Sequence, residues 1–510
     1  MNKHPNILFI LTDDQGEWAM HCSGNEELVT PTLDRLANEG MRFENFFCVS
    51  PVCSPARASI YTGKIPSQHG VHDWLAKGHL SEDQLDDDLR EKINSENPPY
   101  EYIWIKNQLK GDVAINYLKD HETFSEVLAK NGYNCGLSGK WHVGASADPQ
   151  AGFSYWSTEA MGGDNYYHPV SLIDGKMRVQ HGVYVTEYIT DNALKFLDEQ
   201  TADKPFMLAV HYTAPHSPWS EPMHPKKWID YYDKCEFKSI PNVPPHPWCA
   251  EAKQTRAQWD SKPHPGVRFI NAKYAPIEEE WQEYRKESLR GYFSAVSAMD
   301  ENLGRIIDAL DKKGLRENTL IVFTSDNGSN MGHHGIFGKG NGTYPQNMYD
   351  TSVKIPAIFS MKGTIPEGVV SDVMVSHYDL YQTILSMAGV PYKEDPSKPG
   401  KDFSDVLKGK TNKFRDDIVV FDEYGPVRMI RTKEWKYVHR YPDGPNELYD
   451  LVNDPAEETN LVDEPKHQDL INDMKSRLDG WFEKYVDSKL DGSKEDVRGK
   501  GQLDSHNFVK

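Results

Sequence analysis

The sequence predicts an α/β fold followed by a smaller α+β unit with an antiparallel sheet. Three observations carry this. Short apolar runs alternate with helical patterns over the first three quarters of the chain. Polar residues able to do chemistry follow one apolar run after another. After about Lys410 the pattern changes to paired strands and one amphipathic helix, which divides the chain into residues 1–410 and 411–510. At 510 residues the chain is several times longer than one hydrophobic core needs, and at 38% hydrophobic and 26% charged residues it reads as globular.

Taken in order, Ile7–Leu11 is an apolar run of strand length. Thr30 is a cap and Pro31 a first helical residue; Leu33, Leu36 and Ala37 make one face, and Gly40 ends the helix. A second helix is expected from Ala56 to Thr62, ended by Gly63. Cys135–Ser138, Phe206–His211, Leu320–Thr324 and Ala357–Ser360 are further strands. A long amphipathic helix runs from about Leu289 to Leu310, its apolar positions close to a 3.6-residue period. Two stretches read as insertions. Residues 76–118 are polar and acidic, and residues 217–285, rich in Pro, Trp and Tyr, are expected as long surface loops of the kind that carry specificity. Beyond residue 410, Arg428–Thr432 and Lys436–Arg440 form an antiparallel pair across a tight turn, with Glu447–Asp450 as a third strand. A helix with Leu470, Ile471, Met474, Leu478, Phe482 and Tyr485 on one face follows, and the tail from Asp487 is charged.

With 77 acidic and 57 basic residues the net charge is −20. That argues against a nucleic-acid partner, which would need a basic face, and an anionic substrate requires a local cationic cluster against the overall field. Ile7–Leu11 is too short for a signal-peptide core or a membrane span, so the chain as written reads as cytoplasmic and without a membrane partner; export would require a signal ahead of it. Six cysteines without a CxxC pair argue against a zinc ribbon or a disulfide framework.

The predicted strands end in chemistry. Asp13-Asp14 follow Leu11, Gly139-Lys140-Trp141-His142 follow Ser138, Pro215-His216 follow His211, and Asp326-Asn327-Gly328 follow Thr324. In open α/β sheets this is the edge where ligands bind. Asp13, Asp14, Asp326 and Asn327 make an oxygen-only ligand set that suits Ca²⁺ or Mg²⁺ and not zinc; singly, each would serve as a turn residue. Lys140 and Lys339 are placed to hold an anion beside the cation. The loop Gly338-Lys339-Gly340-Asn341-Gly342 is no Walker A, because Gly340 follows the lysine. His142 and His216 are candidate proton-transfer groups. Cys53, near a helix start and close to Arg57, has one reading as a thiolate nucleophile, but the Cys-x₅-Arg spacing of thiol phosphatases is absent.

Cys53-Ser54-Pro55-Ala56-Arg57 followed by Tyr61-Thr62-Gly63-Lys64 resembles the signature of the type I sulfatases. Gly139 to Gly144 resembles a second block of that family, Asn6 to Asp14 its opening strand, and Asp326-Asn327-Gly328 with His334-Gly335 and Gly338-Lys339 its late metal and sulfate block. Glu447 to Leu461 is similar to its C-terminal stretch. The resemblance runs through nearly the whole chain in order, the two insertions excepted. It implies an alkaline phosphatase-like architecture, a large central mostly parallel sheet flanked by helices.

The resemblance also implies a mechanism. Cys53 would be oxidised by a maturation enzyme to Cα-formylglycine. Its hydrate, bound to Ca²⁺ with Asp13, Asp14, Asp326 and Asn327, would attack sulfur; Mg²⁺ satisfies the same oxygen donors. Arg57 would orient the formylglycine, and Lys140 and Lys339 would neutralise the sulfate oxygens, with His334 also on the substrate side. His216 would protonate the leaving alcohol and His142 would take the proton that lets sulfate depart. The substrate implied is a sulfated carbohydrate, and the −20 charge favours a monosaccharide or short oligosaccharide over a long polyanion. A phosphate or phosphonate monoester hydrolase on the same scaffold is the alternative, and a silent protein that binds sulfated glycans a further one. Trp219, Trp228 and Trp248 are candidates to stack on sugar rings or to pack within their loop.

Overall fold

The computed structural model describes residues 4–96, 102, 113–163, 165–249, 278–343, 345–422, 426–441 and 443–494. Eight strands form the main sheet: β1 (Asn6–Thr12), β2 (Met41–Phe43), β3 (Asn134–Gly139), β4 (Tyr155–Thr158), β5 (Phe206–His211), β6 (Thr319–Ser325), β7 (Ala357–Ser360) and β8 (Val369–Ser371). Their order is β8-β2-β7-β6-β1-β5-β3-β4. Only β7 runs antiparallel to its neighbours; every other pairing is parallel. β1 lies at the centre, with Ile7 opposite both Met207 and Leu320.

β1, β5 and β6 are buried along their whole length, which is why they read as unbroken apolar runs. The strand alternation divides them between two cores. Ile7, Phe9 and Leu11 face the helices α2 (Cys53–Thr62) and α5 (Leu380–Met387), while Leu8 and Ile10 face α1 (Pro31–Asn38), α3 (Val185–Asp198) and α4 (Glu278–Lys312). The expected cap of α1 is supplied differently. Thr30 Oγ1 accepts from the His21 backbone, and the free N–H groups of Thr32 and Leu33 donate to the Asp300 carboxylate of α4, so a long-range carboxylate meets the helix-end donors.

The C-terminal sheet has four strands, not three: β9 (Ile418–Asp422), β10 (Val427–Arg431), β11 (Trp435–Arg440) and β12 (Glu447–Asp450), all antiparallel. Helix α6 (Gln468–Tyr485) lays Ile471, Met474, Leu478 and Phe482 on Val419, Phe421, Ile430, Tyr437 and Leu448. The insertions hold regular structure as well. A helix Asp87–Asn94 lies in the first, while residues 97–101 and 103–112 are outside the described residues. The second holds a helix Lys226–Tyr232 and the opening turns of α4, and residues 250–277 are outside the described residues, as are 495–510 of the tail. The six cysteines are free. Among the described residues no helix is long and apolar enough to cross a membrane.

Gly139 closes β3 at φ 112°, and a Cβ there would stand 2.0 Å from the His211 carbonyl oxygen of β5. The next residue, Lys140, donates its backbone N–H to that same oxygen at 2.9 Å. Gly139→Ala is therefore expected to destabilise the fold by roughly 2–4 kcal/mol, through left-handed strain and overpacking together. An unchanged urea-unfolding midpoint would overturn this account of the strand end.

Candidate active site

Asp13 and Asp14 follow β1, Lys140 follows β3, His216 lies beyond β5 and Asp326 follows β6, so all reach the same edge of the parallel strands. Helix α2 enters from one side with Cys53 at its first position, three residues earlier than Ala56. Ligand atoms of Asp13, Asp14, Cys53 and His216 lie within 4.8 Å of one another.

The carboxylates are buried and charge-balanced. Lys140 Nζ donates to Asp13 Oδ2, and Cys53 Sγ lies 3.3 Å from Asp13 Oδ1. Lys339 Nζ donates to Asp14 Oδ1 at 2.5 Å and also meets Cys53 Sγ. Asn327 Nδ2 donates to Asp14 Oδ1 at 2.7 Å, and the Asp14 backbone N–H donates to Asp326 Oδ1 at 3.3 Å. Arg57, wholly buried, donates Nε to Asp326 Oδ2 and Nη1 to the Lys140 carbonyl, each at 2.8 Å.

Burial raises the carboxyl pKa of Asp13, but Lys140 and His216 outweigh it and hold the group below its ordinary value. Asp14 is likewise held low, with Lys339 and His216 prevailing over burial. Burial works against the Lys339 ammonium, yet Asp14 and Cys53 keep its pKa well above the ordinary value. Cys53 behaves oppositely to a thiolate. Burial pushes its thiol pKa up, Asp13 adds to that, and Lys140 and Lys339 do not compensate. The unmodified thiol is protonated at neutral pH and is a poor nucleophile.

The two histidines differ. His216 is 22% exposed; its Nδ1 donates to the Ser217 carbonyl at 2.7 Å, leaving Nε2 at 3.7 Å from Asp14 Oδ2. His142 is buried at φ 55°, beside His79 with ring centroids 5.2 Å apart. Burial pushes its pKa well below the ordinary value, and Lys140 and His79 add to this, so the ring is neutral and base-competent.

The structure does not bring His334 to this cluster. A hairpin pairs Asn330 with Gly338 and Met331 with Phe337. It returns the chain so that Lys339 enters the site while His334, at the turn, stacks on Tyr349 with ring centroids 3.6 Å apart. Among the described residues no hydrogen bond or ion pair links His334 to the carboxylates. The three tryptophans are held by protein groups. Trp219 donates to the Pro215 carbonyl, Trp228 stacks on Tyr232, and Trp248 lies under the Arg440 guanidinium.

Sequence reasoning passed over His211, which closes β5. Its Nδ1 is 2.9 Å from the Lys140 carbonyl and its Nε2 is 2.9 Å from the Tyr61 hydroxyl. Burial depresses its pKa to about 3, so it is a neutral support for the Lys140 backbone. Its place at the end of an apolar run was the available signal. His79, Gly162 and Gly163, which also border the site, carry no such signal.

The sulfatase family model matches residues 5–390, and that of the N-sulphoglucosamine sulphohydrolase C-terminal region matches residues 332–484. An N-acetylglucosamine-6-O-sulfatase of Bacteroides thetaiotaomicron is 28% identical over 98% of this chain and 90% of its own length. An ulvan-active sulfatase of Formosa agariphila is 26% identical over 93% of this chain and 80% of its own. A solved structure of a protein with its substrate D-glucosamine-2-N,6-O-disulfate superposes with a TM-score of 0.72, at 26% identity, over 97% of this chain and 100% of that one. With the family model spanning most of the chain and the carboxylates, lysines and cysteine meeting at one sheet edge, this chain belongs to the sulfatase family and is a sulfuric ester hydrolase.

Proposed function

We propose that the chain removes sulfate from a sulfated monosaccharide or short oligosaccharide, with Cys53 converted to formylglycine by a maturation enzyme and a divalent cation, Ca²⁺ in first place, held by Asp13, Asp14, Asp326 and Asn327. The observation that carries this is the convergence of Cys53 with two carboxylates and two ammonium groups at one buried point. The sugar class is supported by the relatives named for N-acetylglucosamine-6-O-sulfate and glucosamine disulfate. The −20 net charge favours a short substrate.

The donor set fits the cation and the modified residue. Among the described residues Asn327 Oδ1 is buried without a donor and Arg57 Nη2 is buried without an acceptor: one suits a hard cation, the other an oxygen on residue 53. Three buried carboxylates face Lys140, Lys339 and Arg57, so the cluster is neutral and a dication would give it the excess positive charge an anionic ester needs. When bound, the cation and the modified residue supply an oxygen nucleophile near neutral pH.

The chain's own groups do the rest. Lys140 and Lys339 present ammonium charge where sulfate oxygens gain charge. With its Nδ1–H committed to the Ser217 carbonyl, His216 has Nε2 as the nitrogen that, once protonated, gives its proton to the departing alcohol. An unactivated sugar alkoxide is a poor leaving group and depends on that proton. His142, neutral, accepts the proton that releases sulfate.

A panel of amino-sugar and neutral-sugar sulfates, tested with the Cys53-converted protein, checks this reading. Turnover of at least one sugar sulfate is expected, with loss of on the order of 10²-fold or more on chelation and recovery with Ca²⁺. An aryl phosphate turned over in preference to every sulfate would move the assignment to phosphate or phosphonate ester hydrolysis.

A further inference from the structure

We infer that Gly162 and Gly163 form a positioning strap that sets the orientation of both proton-transfer imidazoles; this rests on the roles proposed for His142 and His216. The strap follows β4 and passes against both rings. A Cβ on Gly162 would lie 2.0 Å from His142 Cε1, 2.1 Å from Nε2 and 2.4 Å from Nδ1. A Cβ on Gly163 would lie 3.0 Å from His216 Cε1 and 3.3 Å from its Nδ1. Neither backbone is left-handed, so the requirement for glycine here is space.

The strap is fixed at its start. The Ala160 N–H donates to the Val170 carbonyl at 2.8 Å, and Glu159 Oε2 accepts from Thr213 Oγ1 at 2.5 Å. Thr213 also accepts the backbone N–H of His216 at 2.9 Å, so one carboxylate ties the strap to the turn that carries His216. Tyr166 donates to the His216 carbonyl at 2.8 Å from the continuing chain.

His142 needs such support. Catalytic imidazoles are ordinarily oriented by a hydrogen bond at the second ring nitrogen. His142 Nδ1 is buried and makes none among the described residues. Packing must orient this ring: Gly162 touches its edge and His79 lies alongside at 5.2 Å. A methyl group at Gly162 takes the space of the ring itself.

The test uses Gly162→Ala and the milder Gly163→Ala, with His142→Ala and the double variant Gly162→Ala/His142→Ala as partners. Imidazole resonances in ¹⁵N-edited spectra, recorded on the full chain before maturation, give a readout independent of activity. The His142 signals are expected to move in Gly162→Ala, and those of His216 in Gly163→Ala. With the converted enzyme, Gly162→Ala is expected to lower kcat on the order of 10²-fold for sugar and nitrophenyl sulfates alike, with KM little changed. Gly163→Ala is expected to slow the sugar sulfate about tenfold and leave the nitrophenyl sulfate, which needs no acid, nearly unaffected. The double variant should be no slower than His142→Ala and should melt higher than Gly162→Ala, because the clash is gone.

Unmoved His142 resonances in Gly162→Ala, or a double variant as unstable as Gly162→Ala, would overturn the strap. A wild-type converted enzyme inert toward every sulfate ester would instead sink the proposed function, and the spectra would still decide the strap.

Discussion

Cys53→Ala is expected to abolish sulfate ester turnover, by on the order of 10³-fold or more, while the protein stays folded. The reason lies in the environment of the thiol. Cys53 opens α2 fully enclosed, and burial with Asp13 keeps it protonated in spite of two neighbouring ammonium groups. The unmodified side chain therefore cannot substitute for an oxygen nucleophile. Protein made without a maturation enzyme should be as inactive as Cys53→Ala, although its chain is unaltered. Peptide mass spectrometry separates the cases: turnover should scale with the fraction of Cys53 carrying an aldehyde. Full turnover from protein whose residue 53 is an intact thiol would remove the foundation of the proposed chemistry. Stability should change little, because an alanine fills the same helix position and removes a group whose bonds, among the described residues, are to Asp13 and Lys339.

Legibility in the sequence followed burial and chemistry. β1, β5 and β6 were readable because strands covered on both faces are apolar without interruption. β2 and β8, three residues each, were not, since so short a run shows no period. The antiparallel setting of β7 was also invisible, because direction is decided by where the chain crosses the sheet. Asp13, Asp14, Asp326, Asn327, Lys140 and His216 were readable as polar residues beyond strand ends, and the structure gathers all six. Lys339, 286 positions from Cys53, was readable only through its motif. His334 shows the limit of that route: its motif places it beside Lys339 in sequence, but a hairpin turns it away. Gly162 and Gly163 could not be found at all, because their meaning is the room they leave for rings held by other strands.

Arg57→Ala is expected to cost about 3–5 kcal/mol of folding stability and, where the protein still folds, on the order of 10²-fold in turnover. Arg57 is enclosed in α2 and pairs with Asp326 at 2.8 Å, both side chains wholly buried. Burial works against its charge, but Asp326 and Asp13 more than restore it, raising the guanidinium pKa above its ordinary value. Alanine would leave Asp326 without its cation and would take from the Lys140 carbonyl the Arg57 donor, leaving that of His211. Lys140 then loses one of the bonds that fix its backbone and aim its ammonium group at Asp13. Arg57→Lys keeps the charge and discards the fork. It should recover most of the stability and little of the turnover, because one ammonium group cannot serve Asp326 and the Lys140 carbonyl and still supply the free Nη2 donor. Added Ca²⁺ should raise the melting temperature of Arg57→Ala more than that of the wild type, since a cation beside Asp326 replaces part of the missing charge. Equal shifts in the two proteins would mean that Asp326 does not share the cation, and the ligand set would contract to Asp13, Asp14, Asn327 and residue 53.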